Sequence, residues 1–167
     1  MSPDQLRQLV DLAGSLRDEA VACAEAKLWR GASVLTAASV EAALLGTVVV
    51  FEPELRAGRL WRKGDPESWT LDALIDVARR AGWLPQTLPS GTHPAETLSG
   101  DVGDAVAFLK ELRNLAAHPG RAITAGGLDF TDDEAMAQVY RVLDGIAAVV
   151  FEKLAKRVDA LPSPSLS

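Results

Sequence analysis

The residues best suited to chemistry lie at the end of one amphipathic segment. Arg113, Asn114 and His118 follow apolar residues at helical spacing, which predicts a helix over about residues 101–117 with one buried stripe. Pro119 cannot donate the helical hydrogen bond, and it disfavours helical backbone in the residue before it. We therefore expect the helix to stop near His118, with the guanidinium and the imidazole at its C-terminal end.

This stop decides whether Arg113 and His118 can share a site. Five residues along a continuous helix turn through about 500°, which would leave the two side chains about 140° apart. Once the helix ends, the imidazole can fold back beside Asn114 and within reach of the Arg113 guanidinium. The helix dipole favours a protonated imidazole there by about 0.3–1 kcal/mol, so we expect His118 to exchange a proton near neutral pH.

Residues 111–120 resemble the Arg-x4–x6-His motif of the HEPN superfamily, the all-helical higher eukaryotes and prokaryotes nucleotide-binding domains. The spacer between Arg113 and His118 has the four-residue form, with a polar residue after the arginine. The resemblance implies a four-helix-type bundle that forms a homodimer and brings two motifs to one cleft. It also implies a metal-independent endoribonuclease, suited to a toxin or defence component, for which a protein antitoxin or another partner protein is a candidate.

The roles of the motif residues follow from the same resemblance. His118 would act as the general acid and base on a ribose 2′-hydroxyl, and Arg113 would bind the scissile phosphate. Asn114 would orient the imidazole or the substrate, and the product would carry a 2′,3′-cyclic phosphate. No glycine-rich phosphate loop, zinc-protease motif or serine-nucleophile elbow occurs in the chain, so we expect no metal and no cofactor.

A second interpretation is open. The chain would then be a non-catalytic HEPN-like module that dimerises or binds a nucleotide or a partner protein. Arg113 and His118 would form a structural cluster, or His118 would simply end its helix. The acidic balance, a net charge of −6, favours this second interpretation because it gives the protein no general attraction for nucleic acid. The complete motif favours the nuclease.

Size and composition indicate one domain. With 167 residues, 48% of them hydrophobic, the chain can bury one core, which we place in residues 1–160, followed by a disordered tail over residues 161–167. Its single cysteine, Cys23, excludes an internal disulfide and is typical of a reducing cytoplasm. The chain opens without a basic and apolar leader, which argues against secretion.

Helical patterns account for most of the chain and predict an all-α bundle of about five helices. Ser2 is expected to cap the first helix, which runs to about Trp29. Gly31 is expected to separate it from an apolar second helix over residues 32–51. The remaining predicted helices cover residues 71–81, which Thr70 is expected to cap, the motif segment, and a last stretch that opens on a capping box at residues 131–134.

Glu41 is the only charge in the apolar stretch over residues 31–51. A carboxylate at the centre of a bilayer costs about 2.5–3.5 kcal/mol, so we expect the core helix of a soluble bundle and no membrane span. A buried carboxylate needs a partner. Two alternatives are open: Glu41 pairs with Arg113 and orients it, or Glu41 reaches solvent at an edge of the bundle.

A basic segment connects the second predicted helix to the third. We expect an irregular connection over residues 54–69, in which cations alternate with aromatic residues: Arg56, Arg59, Trp61, Arg62, Lys63 and Trp69. Such a segment can bind single-stranded RNA by phosphate contacts and base stacking. The alternative is a solvated loop whose tryptophans pack on the bundle.

Overall fold

The structure is a computed structural model that describes residues 2–84 and 133–159. Over these residues it has no strand, which confirms the predicted all-α class. The helices there are α1 (Pro3–Glu25), α2 (Trp29–Val50), α3 (Glu52–Ala57), α4 (Leu71–Arg80) and α5 (Asp133–Asp159), with a 3₁₀ turn at Pro66–Ser68. The predicted motif helix, the start of the capping box before α5 and the predicted tail lie outside the described residues.

Two helix starts form as their cap residues predict. The Ser2 hydroxyl accepts a hydrogen bond from Gln5 N, and the Gln5 side chain accepts one from Ser2 N, which together make a capping box. Thr70 caps α4 by accepting from Ala73 N at 3.3 Å. In both places the cap chemistry is local, because the bonded groups are three residues apart in the chain.

The predicted boundary between the first two helices is wrong. Gly31 lies inside α2, and the chain turns earlier, where Lys27 adopts the left-handed backbone conformation with φ of 59°. A Cβ at Gly31 would lie 3.5 Å from Cys23 Sγ. The glycine therefore stands where α1 and α2 meet, and it does not break the helix.

α2 is the central helix of the described residues and contacts α1, α3, α4 and α5. It is long and apolar enough to cross a membrane, but 56% of its candidate span is buried inside the protein. Its buried hydroxyls donate to carbonyls of their own helix, for example Thr36 Oγ1 to Ala32 O at 2.8 Å and Thr47 Oγ1 to Ala43 O at 2.8 Å. Polar groups are thereby satisfied within the helix, as a core position requires.

Contacts at both ends show that α2 and α5 run parallel. The Trp29 ring, at the start of α2, lies 6.0 Å from the ring of Tyr140, which is in the first third of α5. The Phe51 ring, after the end of α2, lies 4.7 Å from the guanidinium carbon of Arg157, near the end of α5. Two parallel helices need a connection that returns along the bundle between the end of one and the start of the other.

Candidate functional site

The catalytic residues that the sequence predicts, Arg113 and His118, and the supporting Asn114 lie outside the described residues. Their mutual geometry therefore stays a prediction. The described residues do contain the other two parts of the predicted site, which are Glu41 and the basic segment.

Glu41 lies in the middle of α2 and is half-buried. It belongs to a strip of half-buried residues at helical spacing, namely Val34, Ala38, Glu41 and Leu45. This strip is distinct from the face of α2 that carries the fully buried Val40, Leu44 and Val48. Glu41 is thus neither sealed in the core nor fully solvated, and both alternatives for its role stay open.

The basic segment is more regular than the sequence predicts, because α3 and a 3₁₀ turn interrupt the expected irregular connection. Arg56 lies in α3, with Glu52 and Glu54 in the first turn and Pro53 beside them. That acidic and proline-containing pattern is typical of a helix start and could have identified α3. The end of α3 and the residues after it line an open depression on the surface, formed by Arg56, Arg59, Trp61, Arg62, Lys63 and Gly64.

Two of the four cations in this depression are paired with carboxylates. Arg56 Nε donates to Glu52 Oε1 at 2.7 Å, one turn earlier in α3. An Nη atom of Arg62 lies 3.7 Å from Asp76 Oδ2, on α4. Arg59 is exposed and forms no ion pair with any residue that the structure describes.

Lys63, the fourth cation, is also exposed and likewise has no carboxylate partner among residues 2–84 and 133–159. Asp65, two residues later, caps the 3₁₀ turn by accepting from Glu67 N at 3.0 Å. The depression therefore presents at least two uncompensated positive charges on a protein whose net charge is −6.

Two tryptophans attach the depression to the core. Trp61 and Trp69 meet edge to face, with ring centroids 5.0 Å apart, and Trp69 is 8% exposed. The Arg56 guanidinium lies over the Trp61 ring, 4.4 Å from its centroid. The basic surface therefore rests on packed aromatic rings, which confirms that these tryptophans pack on the bundle.

The chemistry available in the depression is anion binding. Its lining consists of cations, an indole and a glycine, and arginine does not lose its proton in proteins. Over the described residues, no group of three or more histidine, cysteine, aspartate or glutamate side chains could hold a metal ion. The depression can bind a phosphate, and proton transfer would have to come from another part of the chain.

A second polar cluster joins α1 to α5. The Arg17 guanidinium forms an ion pair with Asp144, and the Tyr140 hydroxyl donates to the same carboxylate at 3.4 Å. Burial raises the pKa of Tyr140 above its ordinary value of 10.0, and the negative charge of Asp144 raises it further. Each residue of this cluster has a partner within it, which indicates a structural role.

The chain matches no protein-family model, and it matches no curated protein and no solved structure. Any function proposed for it rests on its own residues.

Proposed function

We propose that this protein is a metal-independent endoribonuclease of the HEPN type that acts on RNA in the cytoplasm. The motif at residues 113–118 supports the chemistry. The observation that carries the proposal is the cationic depression, because an acidic chain here gathers four cations on one exposed surface. Phosphate groups are attracted to such a surface even when the protein as a whole repels them.

The proposed reaction needs only the substrate and two side chains. His118 takes the proton from a ribose 2′-hydroxyl, and the 2′-oxygen then forms a bond to the adjacent phosphorus. The bond from phosphorus to the 5′-oxygen breaks, and that oxygen receives a proton from the imidazolium. Arg113 stabilises the negative charge that develops on the phosphate oxygens. The products are a 2′,3′-cyclic phosphate and a free 5′-hydroxyl.

Glu41 and Asn114 are the proposed supporting residues. The half-buried carboxylate of Glu41 would hold the Arg113 guanidinium, and Asn114 would orient the imidazole or the substrate. The resemblance further suggests that two copies form the working unit, and a protein antitoxin is a candidate partner.

The test is cleavage of a labelled single-stranded RNA by the purified protein in the presence of EDTA. We expect products that end in a 2′,3′-cyclic phosphate, and no cleavage of an otherwise identical strand with 2′-O-methyl groups. Arg113→Ala and His118→Ala should each lower the rate about 10²–10⁴-fold, since each removes a group that acts in the transition state. Arg7→Ala is a control, because Arg7 is 75% exposed and pairs only with Asp4 in α1.

Activity that survives in both Arg113→Ala and His118→Ala would remove the assignment, as would cleavage of the 2′-O-methyl strand.

The second candidate function, a non-catalytic module that dimerises or binds a partner, is favoured by one feature of α1. Val10 and Val21 are 57% and 40% exposed and lie on the same side of the helix, three turns apart. On that interpretation the wild type leaves RNA intact, and both motif variants lose about 1–3 kcal/mol of stability.

A further inference from the structure

The end of α3 places an arginine where helices usually place a glycine. Leu60 N donates to Leu55 O at 2.8 Å and Arg59 N donates to Arg56 O at 3.1 Å, which is the bonding pattern of a Schellman motif. The motif requires left-handed backbone at Arg59, whose φ is 57°. A side chain with a Cβ is disfavoured in that conformation, so the chain carries local strain at an exposed position.

The ends of α1 and α4 show which residues occupy the same left-handed position after a helix elsewhere in the described residues. α4 ends with Gly82 at the equivalent place, with φ of 71°. α1 ends with Lys27, with φ of 59°, and Leu28 N donates to Cys23 O at 2.7 Å. A cation is favourable near any helix C-terminus, which accounts for Lys27. Arg59 differs from Lys27 because it lies among other cations.

The cations next to Arg59 should repel it unless an anion binds between them. Arg62 and Lys63 line the same depression, and Arg59 has no carboxylate partner among the described residues. Like charges within one depression destabilise each other, although water and salt screen the effect. Backbone strain and charge repulsion at Arg59 do not stabilise the fold. Binding of an anion therefore explains an arginine at this position better than a structural role does.

Trp61, the tryptophan in the depression, already contacts two other side chains. The Arg56 guanidinium covers one face of the Trp61 ring, 4.4 Å from its centroid, and Trp61 is half-buried beside Trp69, with the two ring centroids 5.0 Å apart. Base stacking needs an open ring face, as in proteins that bind single strands through aromatic platforms. Trp61 is better placed to hold Arg56 than to stack on a base.

We propose that the depression binds the phosphodiester backbone of single-stranded RNA through charge alone, with Arg59 as its principal contact and without stacking on the bases. The ligand class rests on the proposed nuclease function, whereas the binding site is defined by cations of the described residues, Arg56, Arg59, Arg62 and Lys63. Binding at the depression should therefore depend on salt and on the number of phosphates, and it should be insensitive to base identity.

The test compares Arg59→Gly with Lys27→Gly. Both variants remove one positive charge from the same backbone conformation, and both relieve strain, so each should unfold at a urea concentration no lower than the wild type. The probe is a labelled uridine strand with 2′-O-methyl groups, which cannot be cleaved, and its affinity is measured by fluorescence anisotropy. We expect Arg59→Gly to weaken binding about threefold to tenfold and to reduce the salt slope by about 0.7. Lys27→Gly should leave both unchanged.

A further probe separates the sources of affinity. An abasic strand of the same length should bind within about threefold of the uridine strand, since losing a stacked base costs much more. Equal affinity of Arg59→Gly and the wild type would overturn the proposal, and so would weak binding of the abasic strand.

These results are distinguishable from a failure of the nuclease assignment. If the wild type binds the uncleavable strand through Arg59 but cuts no RNA, the binding site stands and the nuclease function falls. If RNA is cut and Arg59→Gly binds and cuts as the wild type does, the nuclease function stands and the proposed binding site falls.

Discussion

Arg17 and Arg59 show two uses of a cation in the same chain. The side chain of Arg17 is 23% exposed and forms an ion pair with Asp144, which joins α1 to α5. Arg59 is exposed at the end of α3, with no carboxylate partner in the described part of the chain. Removing one partner of a half-buried pair leaves the other charge uncompensated, whereas an exposed lone cation contributes little to stability. The difference separates cations that hold the fold from cations available to a ligand.

The largest effect should come from breaking the pair between α1 and α5. Arg17→Ala should lower the free energy of unfolding by about 1–3 kcal/mol, because Asp144 would lose its charge partner in a half-buried position. Urea denaturation measures the change. The RNA-binding affinity of the folded variant should stay at the wild-type value.

Two controls sharpen this prediction. Arg7→Ala removes a pair whose side chains are 75% and 84% exposed, and it should change stability by less than about 0.5 kcal/mol. Arg59→Ala should be similarly small. If Arg17→Ala were as mild as these two, the distinction between structural and available cations would be lost.

A smaller effect is expected at the other end of α5. Arg157 pairs with Glu54 of α3, and its guanidinium lies over the Phe51 ring, so it makes two contacts to another part of the bundle. Arg157→Ala should lower the free energy of unfolding by about 1 kcal/mol. Its neighbour Lys156 is 66% exposed and pairs only with Glu152 in the same helix. Lys156→Ala should therefore cost about 0.3–0.5 kcal/mol, and equal losses in the two variants would contradict the assignment.

Sequence patterns predicted the features that depend on nearby residues. Ser2 and Thr70 start helices as expected because a cap bonds to backbone three residues away. The turn between α1 and α2 was misplaced because Gly31 usually signals a break, whereas here it faces Cys23. The turn itself depends on Lys27 in left-handed backbone, and nothing in the local sequence indicates that conformation.

The sequence predicts which residues form the basic segment, but it does not predict which of their cations form ion pairs. The alternation of cations with tryptophans identified the basic segment. Which cations stay unpaired depends on contacts that cross the fold, such as the distance of 3.7 Å between Arg62 and Asp76. The parallel arrangement of α2 and α5 is equally non-local, since contacts more than 100 residues apart in the chain determine it.

The smallest effect concerns the hydroxyl that shares Asp144 with Arg17. Tyr140 has a pKa above its ordinary value of 10.0 because it is buried and lies beside a negative charge. Between 10.0 and that raised pKa, the unfolded chain binds fewer protons than the folded protein, so stability falls as pH rises through this interval. Tyr140→Phe should lack this part of the decline. At neutral pH its free energy of unfolding should differ from that of the wild type by less than about 0.5 kcal/mol, because the hydrogen bond from Tyr140 to Asp144 is long.

Tyr140 is the one tyrosine of the chain, so the ultraviolet absorbance of tyrosinate reports its titration without interference from another tyrosine. The folded protein should titrate at higher pH than the protein unfolded in urea. Arg17→Ala should move that titration to higher pH still, because the nearby guanidinium lowers the pKa of Tyr140. An unchanged titration in Arg17→Ala would show that Arg17 does not act on this cluster, and it would place Arg17 with the available cations instead of the structural ones.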